Sequence, residues 1–110
     1  MERLVKGDVI VINFPYSDLI HYKKRPSLII KVPKGEDIIA CQITGTSFES
    51  NVEISLNQED FRQGSLNRQS FVRIDKIFSI EKSMIGYKAG SLKHEKINYI
   101  LDKLCRYLKE

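Results

Sequence analysis

Apolar and polar residues alternate along most of this chain, and the alternation predicts a series of short β-strands. Val9–Phe14 is apolar on both faces, which is typical of a central strand. A second strand is predicted at Arg25–Val32 and a third at Asp37–Thr44, and the turn residues Pro33 to Gly35 between them favour a β-hairpin. Shorter alternating runs predict three more strands, at residues 52–56, 69–75 and 77–80.

The hydrophobic period changes to 3.6 residues near the C-terminus. This change predicts one amphipathic helix from about Leu92 to Leu108, with Ser91 as its N-cap. Residues 57–67 show no periodicity and are expected to form a loop or one short helical turn. Many short strands followed by one helix predict a mainly β fold, a small antiparallel barrel or strongly bent sheet that the helix caps. No linker or repeat divides residues 1–110, so a single domain is expected.

Composition and charge limit the classes of function. The chain has 18 Lys and Arg residues against 14 Asp and Glu, a formal net charge of +4, which favours anionic partners only if the excess is localised. Without a signal peptide or an apolar run of about 20 residues, a cytoplasmic protein with no membrane partner is expected. Cys41 and Cys105 lie in apolar segments and lack Cys or His at metal-ligand spacing. Buried free thiols are therefore expected, with a structural disulfide as the weaker alternative and with no metal or cofactor.

A basic and aromatic cluster stands between the first two predicted strands. It consists of His21, Tyr22, Lys23, Lys24 and Arg25. Pro26 follows at once and restricts Arg25 to an extended conformation, so this arginine is presented from a stiff base. Loops that hold charged and aromatic residues on a rigid scaffold are common binding sites, and this cluster suits a phosphate-bearing partner. The alternative is a solvated basic turn without a specific function.

Two positions further along the chain complete the candidate chemistry. Alternation within Gln69–Asp75 places Arg73 and Asp75 on one face of a strand, roughly 6.5 to 7 Å apart. They form either a functional pair or a structural ion pair. Thr44 ends the third strand and points to the same side as Gln42. Its alternative role is that of a strand-end threonine bonded to its own backbone.

Four segments occur in a characteristic order: GDVIVINF, KKRPSLII, IACQIT and SFVRIDKIFSIEK, followed by the amphipathic helix. In this order they resemble the MazF/PemK family of toxins from type II toxin–antitoxin systems, from about Gly7 to Leu108. The resemblance implies an SH3-like small antiparallel barrel of the CcdB, MazF and Kid type with a C-terminal helix. It also implies a homodimeric, metal-independent endoribonuclease that cuts single-stranded RNA and is blocked by a cognate antitoxin. The sequence departs from many relatives where IHYKK replaces a glycine-containing run.

The resemblance also assigns roles to individual residues. Arg25 looks like the family's catalytic arginine in the Arg-Pro motif, and Thr44 looks like the threonine that closes the Ile-Thr strand end. Arg73 and Asp75 match the Val-Arg-x-Asp pattern of the Kid/PemK branch. Six further residues are expected to bind RNA: His21, Tyr22, Lys23, Lys24, Ser27 and Gln42.

Cleavage of RNA without a metal needs three things: removal of the 2′-OH proton, protonation of the leaving 5′-oxygen, and fixed donors for the charge on the phosphorane. Asp75 and His21 are the candidate groups for proton transfer, since histidine titrates nearest neutral pH. Arg25 and Arg73 are expected mainly to clamp phosphate oxygens, because the pKa of arginine exceeds about 12. The resemblance also allows the alternative that an arginine takes part in the proton transfer. Thr44 is expected to donate its hydroxyl to a phosphate oxygen. The products would carry 2′,3′-cyclic phosphate and 5′-OH ends.

A second interpretation keeps the fold and removes the catalysis. The chain would then be a non-catalytic binding module: an RNA binder, a CcdB-like inhibitor of a protein target, or an inactive toxin. The C-terminal KLCRYLKE has no aromatic pair suited to a helix that wedges into a partner, which disfavours the CcdB-like role. Tyr16, Tyr22 and Phe48 are candidates for stacking on bases, although Tyr16 and Phe48 are equally candidates for the core. His94 is expected to be a solvated surface residue.

Overall fold

The computed structural model describes residues 3–15 and 20–110, and it confirms a mainly β, SH3-like barrel fold with a C-terminal helix. The strands are Asp8–Pro15 (β1), Tyr22–Lys31 (β2), Asp37–Thr44 (β3), Glu53–Leu56 (β4), Phe61–Gly64 (β5), Ser70–Glu81 (β6) and Ile85–Leu92 (β7). They pair antiparallel in one sheet, in the order β4-β6-β3-β2-β1-β7-β5. Helix α1 spans His94–Lys109, and turns of 3-10 helix lie at Gln58–Asp60 and Lys82–Met84.

The curled sheet buries apolar side chains on both faces. One face, which we call the helix face, packs against α1 around Val9, Leu28 and Ile100. Full burial of each such aliphatic side chain stabilises the fold by roughly 1.5–3 kcal/mol. The other face, which we call the open face, carries a smaller cluster: Ile10, Ile12, Ile29, Ile38, Ala40 and Ile85. Because β1 and β2 supply alternate residues to both clusters, they are apolar on both sides, as the sequence predicts for β1.

Strand β2 begins three residues before its predicted start. Tyr22, Lys23 and Lys24 therefore belong to a strand, and their prediction as loop residues is wrong. Asn13 pairs with Lys24 and Phe14 pairs with Lys23, so the β1 backbone extends the ladder. Hydrogen bonding to a neighbouring strand outweighs the weak β-propensity of lysine here. The predicted hairpin of β2 and β3 is confirmed.

Strand β6 is longer than the pattern predicts. Two strands separated at the Asp75-Lys76 step are expected from the sequence, but Ser70–Glu81 is one continuous strand. Its register with β3 shifts between Cys41, which pairs with Ile77, and Ile43, which pairs with Val72, so the ladder is irregular where the sequence predicts a break. One long strand can therefore pair with β3 along its length and with β4 at its N-terminal half.

Two strands, β5 and β7, were not predicted. Strand β5 lies in the segment expected to be a loop or helical turn, of which only Gln58–Asp60 is helical. The β7 sequence, IGYKAGSL, contains two glycines and so has low β-propensity. Gly90 explains why these strands approach closely: a Cβ atom there would lie 2.5 Å from the carbonyl oxygen of Gln63. The absence of a side chain thus permits the pairing.

Helix α1 starts at His94, two residues later than predicted, and Ser91 is not its cap. The Ser91 hydroxyl instead donates to Oδ1 of Asp8 at 2.7 Å, and both residues are buried. Asp8 Oδ2 also accepts a hydrogen bond from the backbone N–H of Val5 at 2.8 Å. This carboxylate therefore ties the N-terminal turn to β7. In the part of the chain that the structure describes, no helix has the length and apolar character needed to cross a membrane.

The two cysteines differ in environment. Cys41 is buried, as predicted, whereas Cys105 is exposed on α1, so the prediction for Cys105 is wrong. Cys105 directly follows the buried Leu104, and one helical step carries it off the apolar stripe. Burial, with a smaller contribution from the negative charge of Asp75, raises the pKa of the Cys41 thiol to about 12. Cys41 is thus a neutral core residue.

Candidate functional site

Residues paired directly across neighbouring strands project from the same face of a sheet, so the register shows which predicted site residues share a face. Ile10 and Ile12 belong to the open-face cluster, and they pair with Ser27 and Arg25 respectively. Ser27 in turn pairs with Gln42 on β3. Arg25, Ser27 and Gln42 therefore lie on the open face.

The same argument places the remaining predicted catalytic residues. Thr44 lies two residues after Gln42 on β3 and pairs with Phe71 of β6. Arg73 and Asp75 follow Phe71 at alternate positions of the same strand. Three adjacent strands, β2, β3 and β6, thus bring Arg25, Thr44, Arg73 and Asp75 to one face.

Arg73 and Asp75 form a bidentate ion pair, with Nε and Nη2 of Arg73 donating to the two carboxylate oxygens at 2.8 and 2.7 Å. Their side chains are only 14% and 22% exposed. The hydrogen bonds from Arg73 lower the pKa of Asp75, and the same bonds raise the pKa of Arg73. The predicted placement on one strand face is confirmed. A guanidinium has five N–H groups, and this pair uses two of them.

The turn between β3 and β4 supplies a contact that the sequence did not predict. The Phe48 ring centroid lies 5.2 Å from Cζ of Arg73, a cation–π contact. Phe48 is 60% exposed, so its placement in the core is excluded. An aromatic residue within a turn-like run was the only sequence signal, because no periodicity indicates where a turn folds.

Glu53 organises this turn. Its carboxylate accepts hydrogen bonds from the backbone N–H groups of Phe48 and Glu49, at 3.0 and 3.1 Å, and from the Ser47 hydroxyl at 2.5 Å. The hydrogen bond from Phe48 is the largest of the effects that lower the pKa of Glu53. Glu53 therefore stays ionised at neutral pH. Glu53 was not among the candidate site residues predicted from the sequence.

Arg25 and Thr44 have partners that leave part of each group available. The guanidinium of Arg25 lies over the ring of Phe14, with Cζ 5.9 Å from the centroid. Phe14 makes an edge contact with Phe78, at 5.8 Å between centroids. Thr44 Oγ1 accepts a hydrogen bond from the Thr46 backbone N–H at 3.2 Å. This bond uses a lone pair, so the Thr44 hydroxyl hydrogen can still be donated.

Strand alternation divides the predicted RNA-binding cluster. His21, Tyr22, Lys23 and Lys24 are all exposed. Lys23 pairs with the open-face residue Phe14, whereas Lys24 is on the opposite side, with Nζ 5.9 Å from the ring centroid of Tyr87. The cluster therefore does not converge as one patch.

Several other predicted residues have clear placements. Ser27 is fully buried, and its hydroxyl lacks a hydrogen-bond partner among the described residues. Gln42 is half-buried beside it. His94 is exposed, as predicted, and Tyr16 lies outside the described residues. Within residues 3–15 and 20–110, no group of three or more His, Cys, Asp or Glu side chains is placed to hold a metal ion.

The comparisons of this chain with protein-family models and with solved structures point to the same family. Residues 5–108 match the model of the family described as PemK-like, MazF-like toxin of type II toxin–antitoxin system. A comparison with curated proteins gives no match. A mycobacterial endoribonuclease in complex with its cognate antitoxin has a TM-score of 0.76 and 19% identity, over 97% of this chain and 96% of that chain.

Two further solved structures have the same fold. MazE–MazF (Form-II) from Deinococcus radiodurans has a TM-score of 0.78 and 17% identity, over 98% of both chains. The Mycobacterium tuberculosis toxin MazF-mt6 has a TM-score of 0.69 and 18% identity, over 91% of this chain and 96% of that chain. The likeness extends over nearly the whole length of each molecule.

Proposed function

The chain belongs to the PemK-like, MazF-like toxin family of type II toxin–antitoxin systems, and from this premise we propose that it is an endoribonuclease that cuts single-stranded RNA at short motifs. The observation that most supports the proposal is the grouping of Arg25, Thr44, Arg73 and Asp75 on one face of the sheet. The mycobacterial neighbour is itself an endoribonuclease. Two arginines beside a carboxylate and a hydroxyl suit a phosphodiester substrate.

In the proposed metal-independent reaction, the ribose 2′-oxygen attacks the adjacent phosphorus and the bond from phosphorus to the 5′-oxygen breaks. Asp75 accepts the 2′-OH proton, and the leaving 5′-oxygen takes a proton from water. The products carry a 2′,3′-cyclic phosphate and a 5′-OH. His21 precedes Arg25 by four residues, roughly 13 Å in extended backbone, so we assign it to RNA binding and not to this proton transfer.

The arginines would act by electrostatic stabilisation. Arg25 and Arg73 are proposed to bind the non-bridging phosphate oxygens, whose negative charge grows in the phosphorane. Thr44 donates its hydroxyl to one of these oxygens. Tyr22, Lys23, Lys24 and Gln42 are proposed to contact the flanking RNA. Ser27 is fully buried, so its predicted contact with RNA is wrong and we assign it none.

The proposed protein partner is a cognate antitoxin. The mycobacterial neighbour is a complex with its cognate antitoxin, and the Deinococcus neighbour is a MazE–MazF structure. An acidic, partly disordered antitoxin segment that folds on binding would suit a chain whose formal net charge is +4. We place toxin, antitoxin and RNA substrate together in the cytoplasm.

A second copy of the chain is the other proposed partner. The open-face cluster has an outer layer of partly buried apolar side chains: Leu4, Phe14, Val32, Phe78, Ile80 and Met84. Apolar sheet faces are normally covered by a second layer of structure, and α1 packs on the opposite face. A homodimer formed through the open face would supply that cover.

The proposed activity is tested by incubating a long single-stranded RNA with the purified protein in EDTA and mapping the new ends. Wild type should cut at a recurring short motif and leave 2′,3′-cyclic phosphate ends. Arg25→Ala should lower the rate by roughly 10²–10³, as for loss of a fixed donor to developing charge.

The matched control is Arg106→Ala, which removes an exposed arginine of α1 and should cut as wild type does. If wild type cuts no RNA, the enzyme proposal is wrong and the non-catalytic binding module takes its place. Equal rates for wild type and Arg25→Ala would remove Arg25 from the site.

A further inference from the structure

The turn between β3 and β4 has an ordered and strained conformation. Glu49 has a φ of +51°, in the left-handed region that residues other than glycine seldom adopt. Its backbone N–H donates both to Glu53 and to the Ser47 hydroxyl. Strain of this kind persists where surrounding contacts over-determine the backbone. The Glu53 carboxylate is the group on which these contacts converge.

The position of Glu53 links the turn to Arg73. The two residues pair directly across β4 and β6, so their side chains leave the same face of the sheet. By holding the N–H groups of Phe48 and Glu49, Glu53 folds the turn back over its own cross-strand neighbour. This folding brings the Phe48 ring against the Arg73 guanidinium.

Two contacts then constrain the guanidinium in different directions. The bidentate pair with Asp75 fixes the rotation of the group within its own plane. A ring packed against the guanidinium limits the tilt of that plane. We propose that Phe48, held by Glu53, is a positioning residue that aims the N–H groups of Arg73 not used by Asp75 at the scissile phosphate. This inference rests on the proposed function.

A merely structural role for Phe48 does not fit its exposure. At 60% exposed, the ring contributes little to the core, yet three hydrogen bonds to Glu53 hold the turn that carries it. Geometric precision at a phosphate-binding arginine affects the rate of the chemical step, because a misplacement of about 1 Å can cost up to 10²-fold. The expected effect is therefore on kcat.

The first test compares Phe48→Leu with Phe48→Tyr in steady-state cleavage of one short RNA. Phe48→Leu keeps an apolar side chain and removes the ring, so kcat should fall roughly threefold to tenfold with KM and thermal unfolding unchanged. Phe48→Tyr keeps the ring and should retain the wild-type kcat. Tyr99→Leu is the control: Tyr99 is 48% exposed and contacts Lys96 and Lys103 on α1. It should change neither constant.

The second test needs no RNA. In an amide-type ¹H–¹⁵N spectrum, the Nε–H signal of Arg73, assigned by its loss in Arg73→Lys, should carry a ring-current shift from Phe48. Phe48→Leu should remove this shift, and Glu53→Gln should reduce it, because an amide retains one acceptor oxygen where the carboxylate has two. Tyr99→Leu should leave it in place.

The outcomes separate this inference from the proposed function. Wild type that cuts RNA while Phe48→Leu matches it in kcat would overturn the positioning role alone. A raised KM with unchanged kcat would also overturn it, since that pattern indicates direct binding to RNA. Wild type that cuts no RNA would overturn the proposed function, whereas an Arg73 signal unmoved by Phe48→Leu would overturn the contact itself.

Discussion

Asp75 has two proposed roles, proton acceptor and partner of Arg73, and these roles favour different values of its pKa. As a proton acceptor it would gain from a pKa near neutral, but its hydrogen bonds with Arg73 lower the pKa below its ordinary value of 3.8. In return, the carboxylate is ionised throughout the neutral range, and the pair holds the Arg73 guanidinium in one orientation. The hydrogen bonds between Arg73 and Asp75 therefore fix the orientation of the arginine and make the carboxylate a weaker base.

Replacing Asp75 by Asn tests whether the Asp75 carboxylate accepts the 2′-OH proton. The amide oxygen can still accept one hydrogen bond from Arg73, but it cannot take the 2′-OH proton. Single-turnover cleavage should slow by roughly 10²-fold or more, as for loss of a general base. A rate equal to that of wild type would show that another group removes the proton.

The same substitution has a pH-dependent effect on stability. Because the pKa of Asp75 is lowered in the folded chain, the pair should stabilise the fold above the ordinary value of 3.8 and lose this effect as pH falls through the lowered pKa. Urea unfolding should therefore show wild type more stable than Asp75→Asn near neutral pH, by at most about 1 kcal/mol for a partly exposed pair. The difference should vanish in acid. A difference that grows in acid would contradict this assignment.

At the scale of elements, the sequence predicts those features that depend on residues within a single segment. The period of α1 and the alternation that pairs Arg73 with Asp75 need only one segment each, and both are confirmed. Strand β7 and the Ser91 hydrogen bond depend on partners far away in the chain. The sequence predicts Ser91 as a helix cap, but its hydroxyl donates a hydrogen bond to Asp8, 83 positions earlier.

The turn that carries Phe48 escapes prediction for a related reason. Its shape depends on a carboxylate in the following strand, and its contact with Arg73 depends on the register of β4 and β6. Neither leaves a periodic signal. The sequence therefore indicates the charged half of the candidate site but not the turn that lies over it.

The buried carboxylate of Asp8 offers a test of how the N-terminal turn, β1 and β7 are joined. Asp8→Ala would leave the Ser91 hydroxyl and the Val5 N–H without their acceptor, and Lys88, whose Nζ lies 3.6 Å from Asp8 Oδ2, without that ion pair. Loss of one partner from such a buried group should lower the free energy of unfolding by about 2–4 kcal/mol, measured in urea. Asp102→Ala, on the exposed side of α1, should change it by less than about 0.5 kcal/mol. Equal effects of the two substitutions would show that the Asp8 carboxylate does not hold these segments together.

For the whole molecule, the central feature is that the candidate site and the apolar outer layer share the open face. Phe14 belongs to that layer, contacts Phe78 within it, and also lies under the guanidinium of Arg25. Arg25 of the candidate site is therefore in contact with the edge of the apolar outer layer. A second copy that covered Phe78 would lie beside Arg25, so dimerisation and cleavage should depend on one another.

Ile80→Glu tests this dependence. Ile80 lies in the apolar outer layer and pairs with the buried Ile38, so a carboxylate there would oppose burial against a second copy. Sedimentation velocity at micromolar concentration should show wild type as a dimer and Ile80→Glu as a folded monomer with reduced RNA cleavage. Ile77→Glu is the control, because Ile77 is on the same strand and pairs with Cys41 of the helix-face core. It should remain a dimer. A monomeric wild type, or an Ile80→Glu variant that stays dimeric, would place any interface between copies elsewhere on the molecule.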